Sequence, residues 1–131
     1  MNIVNYLIVV VLAGIAGSFT DWLFMGVLFH DRYNAHPEVW RDGRSEVGKI
    51  LISTAIGAVA SAAFAYLLVR AGWTALPKGL LAALLVTLAA PGPLLASNGL
   101  WIKIHAFVTA AHIAGWLARF VVTAVIASFF L

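Results

Sequence analysis

Four long runs in this chain are almost free of charge, and they constrain the fold more than any other feature. From Ile3 to Phe29 the one charged residue is Asp21; from Ile50 to Val69 and from Gly79 to Ala96 there is none; from Ala106 to Leu131 there is Arg119 alone. A helix rises about 1.5 Å per residue against a hydrocarbon core of ~30 Å, so runs of this length suit membrane crossings, and the first exceeds the core and must tilt or project. Inside a bilayer the backbone has to satisfy its own hydrogen bonds, which selects helices. Of the 131 residues, 63% are hydrophobic and 10% charged, where soluble domains run near 25% charged. The expected fold is therefore all-α: an integral membrane four-helix bundle forming one transmembrane domain over 1–131, with spans at about 3–29, 48–69, 79–96 and 105–130. No Lys or Arg precedes the first run, so it lacks the basic start of a secretory signal and is expected to remain as a helix.

Composition also excludes several chemistries. Without Cys there are no disulfides, thiolates or Cys-ligated metals. A net charge of +3, from 8 basic and 5 acidic residues scattered along the chain, is no footprint for nucleic acid. His30 and His36 lack any flanking partner at a metal-ligand spacing, so neither a metal nor a cofactor is expected.

The last span carries His105, His112 and Arg119 at intervals of seven residues. Seven residues turn a helix by about 700°, roughly 20° short of two turns, so these side chains share one face. Thr109, Trp116 and Thr123 fall on the same side. Such a stripe must face other helices, a water-filled cavity or a ligand rather than hydrocarbon. In the first span Gly14, Gly17 and Asp21 lie on one face. In the second, Gly57, Ser61 and Ala65 recur every four residues, a pattern for close helix approach. In the third, Pro91-Gly92-Pro93 removes two backbone donors in one turn, so this helix is expected to break there, within the membrane, as a pocket wall or hinge.

The segment from His30 to Lys49 is the longest polar stretch, and Pro37 can open a short amphipathic turn over Glu38 to Arg41 with Val39 and Trp40 at the headgroups. Arg32, Arg41, Arg44, Lys49 and Lys103 fall on one side of the expected bundle, against Arg70 and Lys78 on the other. The positive-inside rule then makes the 30–49 loop cytoplasmic and puts both termini outside.

Asp21 is nine residues from His30, about 13 Å along its helix, and His112 is seven residues from His105, about 10 Å along its own, so the two share a level. Arg119 lies about 10 Å deeper, within reach of a side chain bent toward the loop. Pairing of Asp21 with His112 and pairing with Arg119 are both allowed. His112 could equally be satisfied by a backbone carbonyl or a threonine. An unpaired Arg near mid-membrane costs several kcal/mol, so Arg119 requires an anion, carbonyls or water.

The run Gly17-Ser18-Phe19-Thr20-Asp21-Trp22-Leu23-Phe24 with Leu28-Phe29, the segment from Ala90-Pro91 to Asn98, and His112-Ile113-Ala114-Gly115-Trp116-Leu117 resemble an uncharacterised family of small bacterial four-helix membrane proteins. The resemblance implies a four-helix inner-membrane protein. It supplies no activity and assigns no role to Asp21 or Pro93.

Two functional readings follow. One is a bundle that binds or moves a small ligand or ion at a polar site lined by Asp21, Pro91, His112, Trp116 and Arg119; a neutral lipid, a quinone-like molecule or a carboxylate suits a Trp wall with one cation. The other is a structural or accessory subunit whose polar stripe serves helix packing or oligomerisation. An enzyme acting on lipid is the weakest, because no nucleophile–base pair or metal-ligand spacing appears. The expected partners are the lipid bilayer and either a second copy, as a homodimer, or another membrane subunit.

Overall fold

The computed structural model describes residues 2–31, 35 and 45–131, and every regular element among them is helical. The turn expected between Pro37 and Arg41, and His36, lie outside the described residues. Helix α1 spans Ile3–Asp21 and continues without interruption as a π-helical segment, Trp22–Leu28. Helix α2 is Glu46–Ala71, α3 Leu76–Ala89, α4 Pro91–Trp101 and α5 Ala106–Phe130. Taken as Ile3–Leu28, Glu46–Ala71, Leu76–Trp101 and Ala106–Phe130, the helices make four spans long and apolar enough to cross a membrane.

Local chemistry sets the ends of these helices. The Asn2 side chain accepts from the Val4 amide at 3.0 Å and the Ser45 hydroxyl from the Gly48 amide at 3.2 Å, each satisfying a donor that the first turn leaves open. At the far end of α2, Gly72 takes φ 67°. The Gly72 amide then donates to Val69 O at 3.2 Å and the Trp73 amide to Leu68 O at 2.8 Å, closing the helix in a Schellman motif. Trp73 packs on the core cluster that contains Leu68, the apolar contact this motif favours.

The expected break at Pro91-Gly92-Pro93 takes the form of a 29° bend between α3 and α4. Pro91 and Pro93 cannot donate to the preceding turn, but the ladder resumes at once, with the Leu94 amide on Ala90 O at 3.2 Å. A Cβ on Gly92 would stand 2.7 Å from the Thr87 carbonyl oxygen, so the absent side chain is what lets that carbonyl fold into the bend.

Helix α5 is the hub. It packs against α1 and α2 on one side, against α3 and α4 on another, and against the π segment near its start. The apolar core gathers at the end where the termini meet: Val9, Phe64, Leu68 and Phe120 among the alanines 65, 82, 83, 124 and 127. The Phe64 and Phe120 rings lie 4.9 Å apart. Asn5 donates to the Phe130 carbonyl at 2.8 Å, which ties the two termini to one end of the bundle. Outside this core the large apolar residues point outward, among them Val11, Ile15, Phe19, Ile56, Val59 and Leu88. A belt of that kind would aggregate in water and is matched by lipid.

Candidate functional site

Among the described residues Arg119 is the largest side chain that is fully buried, at 1% exposure. It can be buried because two helices withdraw their side chains around it. A Cβ on Gly17 of α1 would lie 2.6 Å from Arg119 Nη1 and 2.9 Å from Cζ. One on Gly57 of α2 would lie 2.5 Å from Cζ and would overlap both terminal nitrogens. The guanidinium is thus a plate held between two bare backbones. Its donors are met within the same socket. Nη2 donates to Asp21 Oδ2 at 2.6 Å, an ion pair, and Nη1 donates to the buried Ser61 hydroxyl at 3.3 Å. Among the described residues no buried side-chain nitrogen or oxygen is left without a partner.

The two spans' lone charges therefore meet, and of the two pairings open to Asp21 the hydrogen-bonded one is with Arg119. Helix geometry explains the reach. Side chains lean toward their helix N-terminus, and the N-terminus of α5 is at the 30–49 end, so Arg119 bends toward Asp21. His112 sits about 20° around α5 from Arg119 and two turns nearer the loop. It is half-buried and within electrostatic reach of the Asp21 carboxylate. Trp116 flanks the guanidinium, 6.0 Å from Cζ to ring centroid, and stacks obliquely on Phe120 at 5.7 Å.

Among the described residues no hydrogen bond joins Pro91 to Asp21, Ser61 or Arg119. Helices α3 and α4 meet α5 at Ala124 and Thr109, where Cβ atoms on Gly79 and Gly99 would come within 3.1 and 2.9 Å. Those positions are roughly 140° and 80° around α5 from Arg119 at 100° per residue. His105, the first member of the heptad stripe, serves as the cap of α5: its Nδ1 accepts from the Phe107 amide at 3.2 Å. Thr123 donates to the Arg119 carbonyl at 2.8 Å, and Ser18 and Thr20 likewise turn back onto their own helix.

Three contributors escaped sequence reasoning in this role: Gly17, Gly57 and Ser61. Their spacing was visible, but it reads as close helix approach, and a glycine pattern does not say what fills the space it leaves. The π-helical segment, which begins at the residue after Asp21, also had no sequence signal; such widened turns recur at functional sites.

The two ends of the ion pair differ in access. Arg119 is sealed, whereas the Asp21 side chain is 30% exposed. Among the described residues no three metal-ligating side chains converge. The arrangement offers an accessible carboxylate, held in place by an internal cation, with an imidazole nearby.

Comparison with curated proteins and with solved structures gives no match. A family model does match, over residues 8–128, and that span takes in Gly17, Asp21, Gly57, Ser61, His112 and Arg119. The chain belongs to this family, the proteins of unknown function DUF1761.

Proposed function

We propose that this membrane bundle binds or moves a small ligand or ion at an intramembrane polar site made by Asp21 and His112, with Arg119 as the fixed counter-charge and Trp116 as a flanking wall. The observation that carries this reading is the asymmetry of the ion pair: a fully enclosed guanidinium and a carboxylate open on one side. A pair needed only for packing has no reason to leave one member accessible at membrane depth, where exposure is costly. Pro91 enters the proposal as the hinge that sets the tilt of α4 rather than as a lining group. Native mass spectrometry of the full chain from mild bilayer mimics tests it. A small molecule retained by the wild type and lost on Asp21→Asn is the expected result.

The second reading, an accessory or structural subunit, is favoured by one observation: every hydrogen bond of the guanidinium is internal. Retention of a partner chain with no small molecule would decide for it. We also assign the protein to the bacterial inner membrane, with both termini outside and the 30–49 loop cytoplasmic. The Asn5–Phe130 contact supports placing both termini on one side, and the basic residues favour the loop side as cytoplasmic. Labelling of single-Cys variants at the two ends tests the orientation. A homodimer is proposed on the small residues that α2 leaves at its surface, such as Ala55 and Ala63, and particle mass in nanodiscs tests it.

A further inference from the structure

The charges of this chain are divided unevenly between the two ends of the bundle. Asp21 is spent on Arg119, and the other four acidic residues, Asp31, Glu38, Asp42 and Glu46, all lie in the segment from His30 to Lys49, interspersed with Arg32, Arg41, Arg44 and Lys49. The opposite end carries Arg70, in the last turn of α2, and Lys78, in the first turn of α3, with no acidic side chain to offset them. Trp73, in the turn between the two, packs on the same core cluster as Tyr6 and Leu131, so both cations belong to the end where the termini meet. Both are exposed, and among the described residues neither has an ion-pair partner. A cation at a membrane surface without a counter-charge of its own attracts anionic head groups.

Helical spacing shows what lies beneath each cation. On α2, Val59, Ala63, Tyr66 and Arg70 follow one another at steps of four, three and four residues and share a face, and all four are exposed. On α3, Lys78, Leu81, Leu85 and Leu88 do the same at steps of three, four and three, and again all four are exposed. Each cation is thus the polar end of an apolar row that faces out of the bundle. The rows run about 16 Å and about 15 Å along their helices, close to half of a ~30 Å hydrocarbon core, the depth of one leaflet. The two helices are joined by the turn between Ala71 and Leu76, so the rows start from neighbouring helix ends. A soluble anion matches only the charge. A phospholipid matches the charge and the row below it.

We infer that the α2–α3 turn holds anionic phospholipid in the leaflet at the termini end, with Arg70 and Lys78 on the head-group phosphate and the acyl chains along the two exposed rows. None of these residues belongs to the Asp21–Arg119 cluster, so the inference stands or falls apart from the reading of that site. It also separates the two ends of the bundle by lipid preference. At the loop end, basic and acidic side chains alternate along the sequence and largely cancel, whereas at the termini end both charged side chains have one sign.

The test uses the full chain in nanodiscs made from equal amounts of phosphatidylglycerol and phosphatidylcholine, with the lipids retained by the protein counted by native mass spectrometry. The wild type should retain phosphatidylglycerol over phosphatidylcholine by roughly thirtyfold, the size expected of two surface cations. Arg70→Gln and Lys78→Gln should each lower that preference about fivefold, and the double variant should abolish it. Arg70→Lys and Lys78→Arg keep the charge and should keep the preference. Lys103→Gln, the same kind of change at the other end of the bundle, should leave it unaltered. Inorganic phosphate added in excess should displace no phosphatidylglycerol. Equal retention of the two lipids by the wild type overturns the inference, and so does a preference that survives in the double variant. A preference lost in the charge-conserving variants would assign the effect to packing, and one lost in Lys103→Gln would assign it to the wrong end; either result overturns it. Displacement by inorganic phosphate would show a site for a free anion and remove the lipid.

Discussion

Gly57→Ala is the smallest change that interrogates the arginine socket. The added methyl would sit 2.5 Å from Arg119 Cζ and 2.7 Å from Nη1, far inside van der Waals contact. The guanidinium cannot retreat, because the backbone of Gly17 is on its other face at comparable range. Two relaxations remain. In one, α2 moves off by an ångström or more and the packing around Ala58 and Ser61 opens; overpacking of this kind costs about 1–3 kcal/mol. In the other, the guanidinium leaves Asp21 and Ser61, and a broken buried pair costs about 3–5 kcal/mol. The chain takes the cheaper path, so the expected loss is roughly 2–3 kcal/mol. Helix propensity works against that loss, since alanine is the better helix former by about 1 kcal/mol. The assay is reversible unfolding in bicelles, run as a double-mutant cycle with Arg119→Met, which removes the plate and keeps an apolar chain of similar length. In that background Gly57→Ala should cost less than ~0.5 kcal/mol, giving a coupling near 2 kcal/mol. A loss of equal size in both backgrounds would refute the socket, and so would Gly57→Ala being neutral in the wild type.

Three further outcomes are expected. Gly92→Ala should destabilise by about 1–3 kcal/mol and change the 29° bend, because the new methyl meets a backbone carbonyl that cannot rotate away; thermal unfolding and helix-to-helix distance by spin labelling check it. Gly72→Ala should cost about 1 kcal/mol through its positive φ alone, since no atom lies within 4 Å, and Gly72→Asn should cost less; the midpoint shift of unfolding measures both. Arg119→Leu should be strongly destabilising, by ~3–5 kcal/mol, because it leaves the Asp21 carboxylate uncompensated, and adding Asp21→Leu should recover part of that; a double variant as poor as the sum of the singles would show the two to be uncoupled.

Much of the architecture was legible because lipid leaves few options. Four nearly uncharged runs admit four helices, and the bend at Pro91 and Pro93 follows from two missing amides. The Asp21–Arg119 pair was legible in part by elimination: each is the single charge in its span, and counting turns put them within reach. What periodicity could not convey is what a face is used for. Gly57 and Ser61 carry the same spacing whether the partner is a bare helix or a guanidinium. His105 shares the heptad with His112 and Arg119, yet it falls one residue before α5 begins, and there its ring accepts an amide instead of joining the stripe. The π-helical segment depends on a shift in backbone pairing that no residue pattern announces, with the Phe29 amide reaching five residues back to Phe24 at 3.1 Å.

The position of Arg119 along the bundle joins its structural and functional roles. Toward the termini, the aromatic pair Phe64–Phe120 and the alanine contacts hold α2 against α5. Toward the loop, each α2 residue from Ile50 to Ile56 is exposed to some degree. The guanidinium sits where these regimes meet, bonded to α1 through Asp21 and to α2 through Ser61. Any change at Arg119 must therefore alter the contact of α1 and α2 with α5 as well as the charge beside Asp21, and loss of binding in such a variant carries no information about ligand chemistry. The partly exposed Asp21 is different. Asp21→Asn keeps a carbonyl oxygen for Arg119 while it removes the charge, and this is why the chemistry of the site has to be read from that residue.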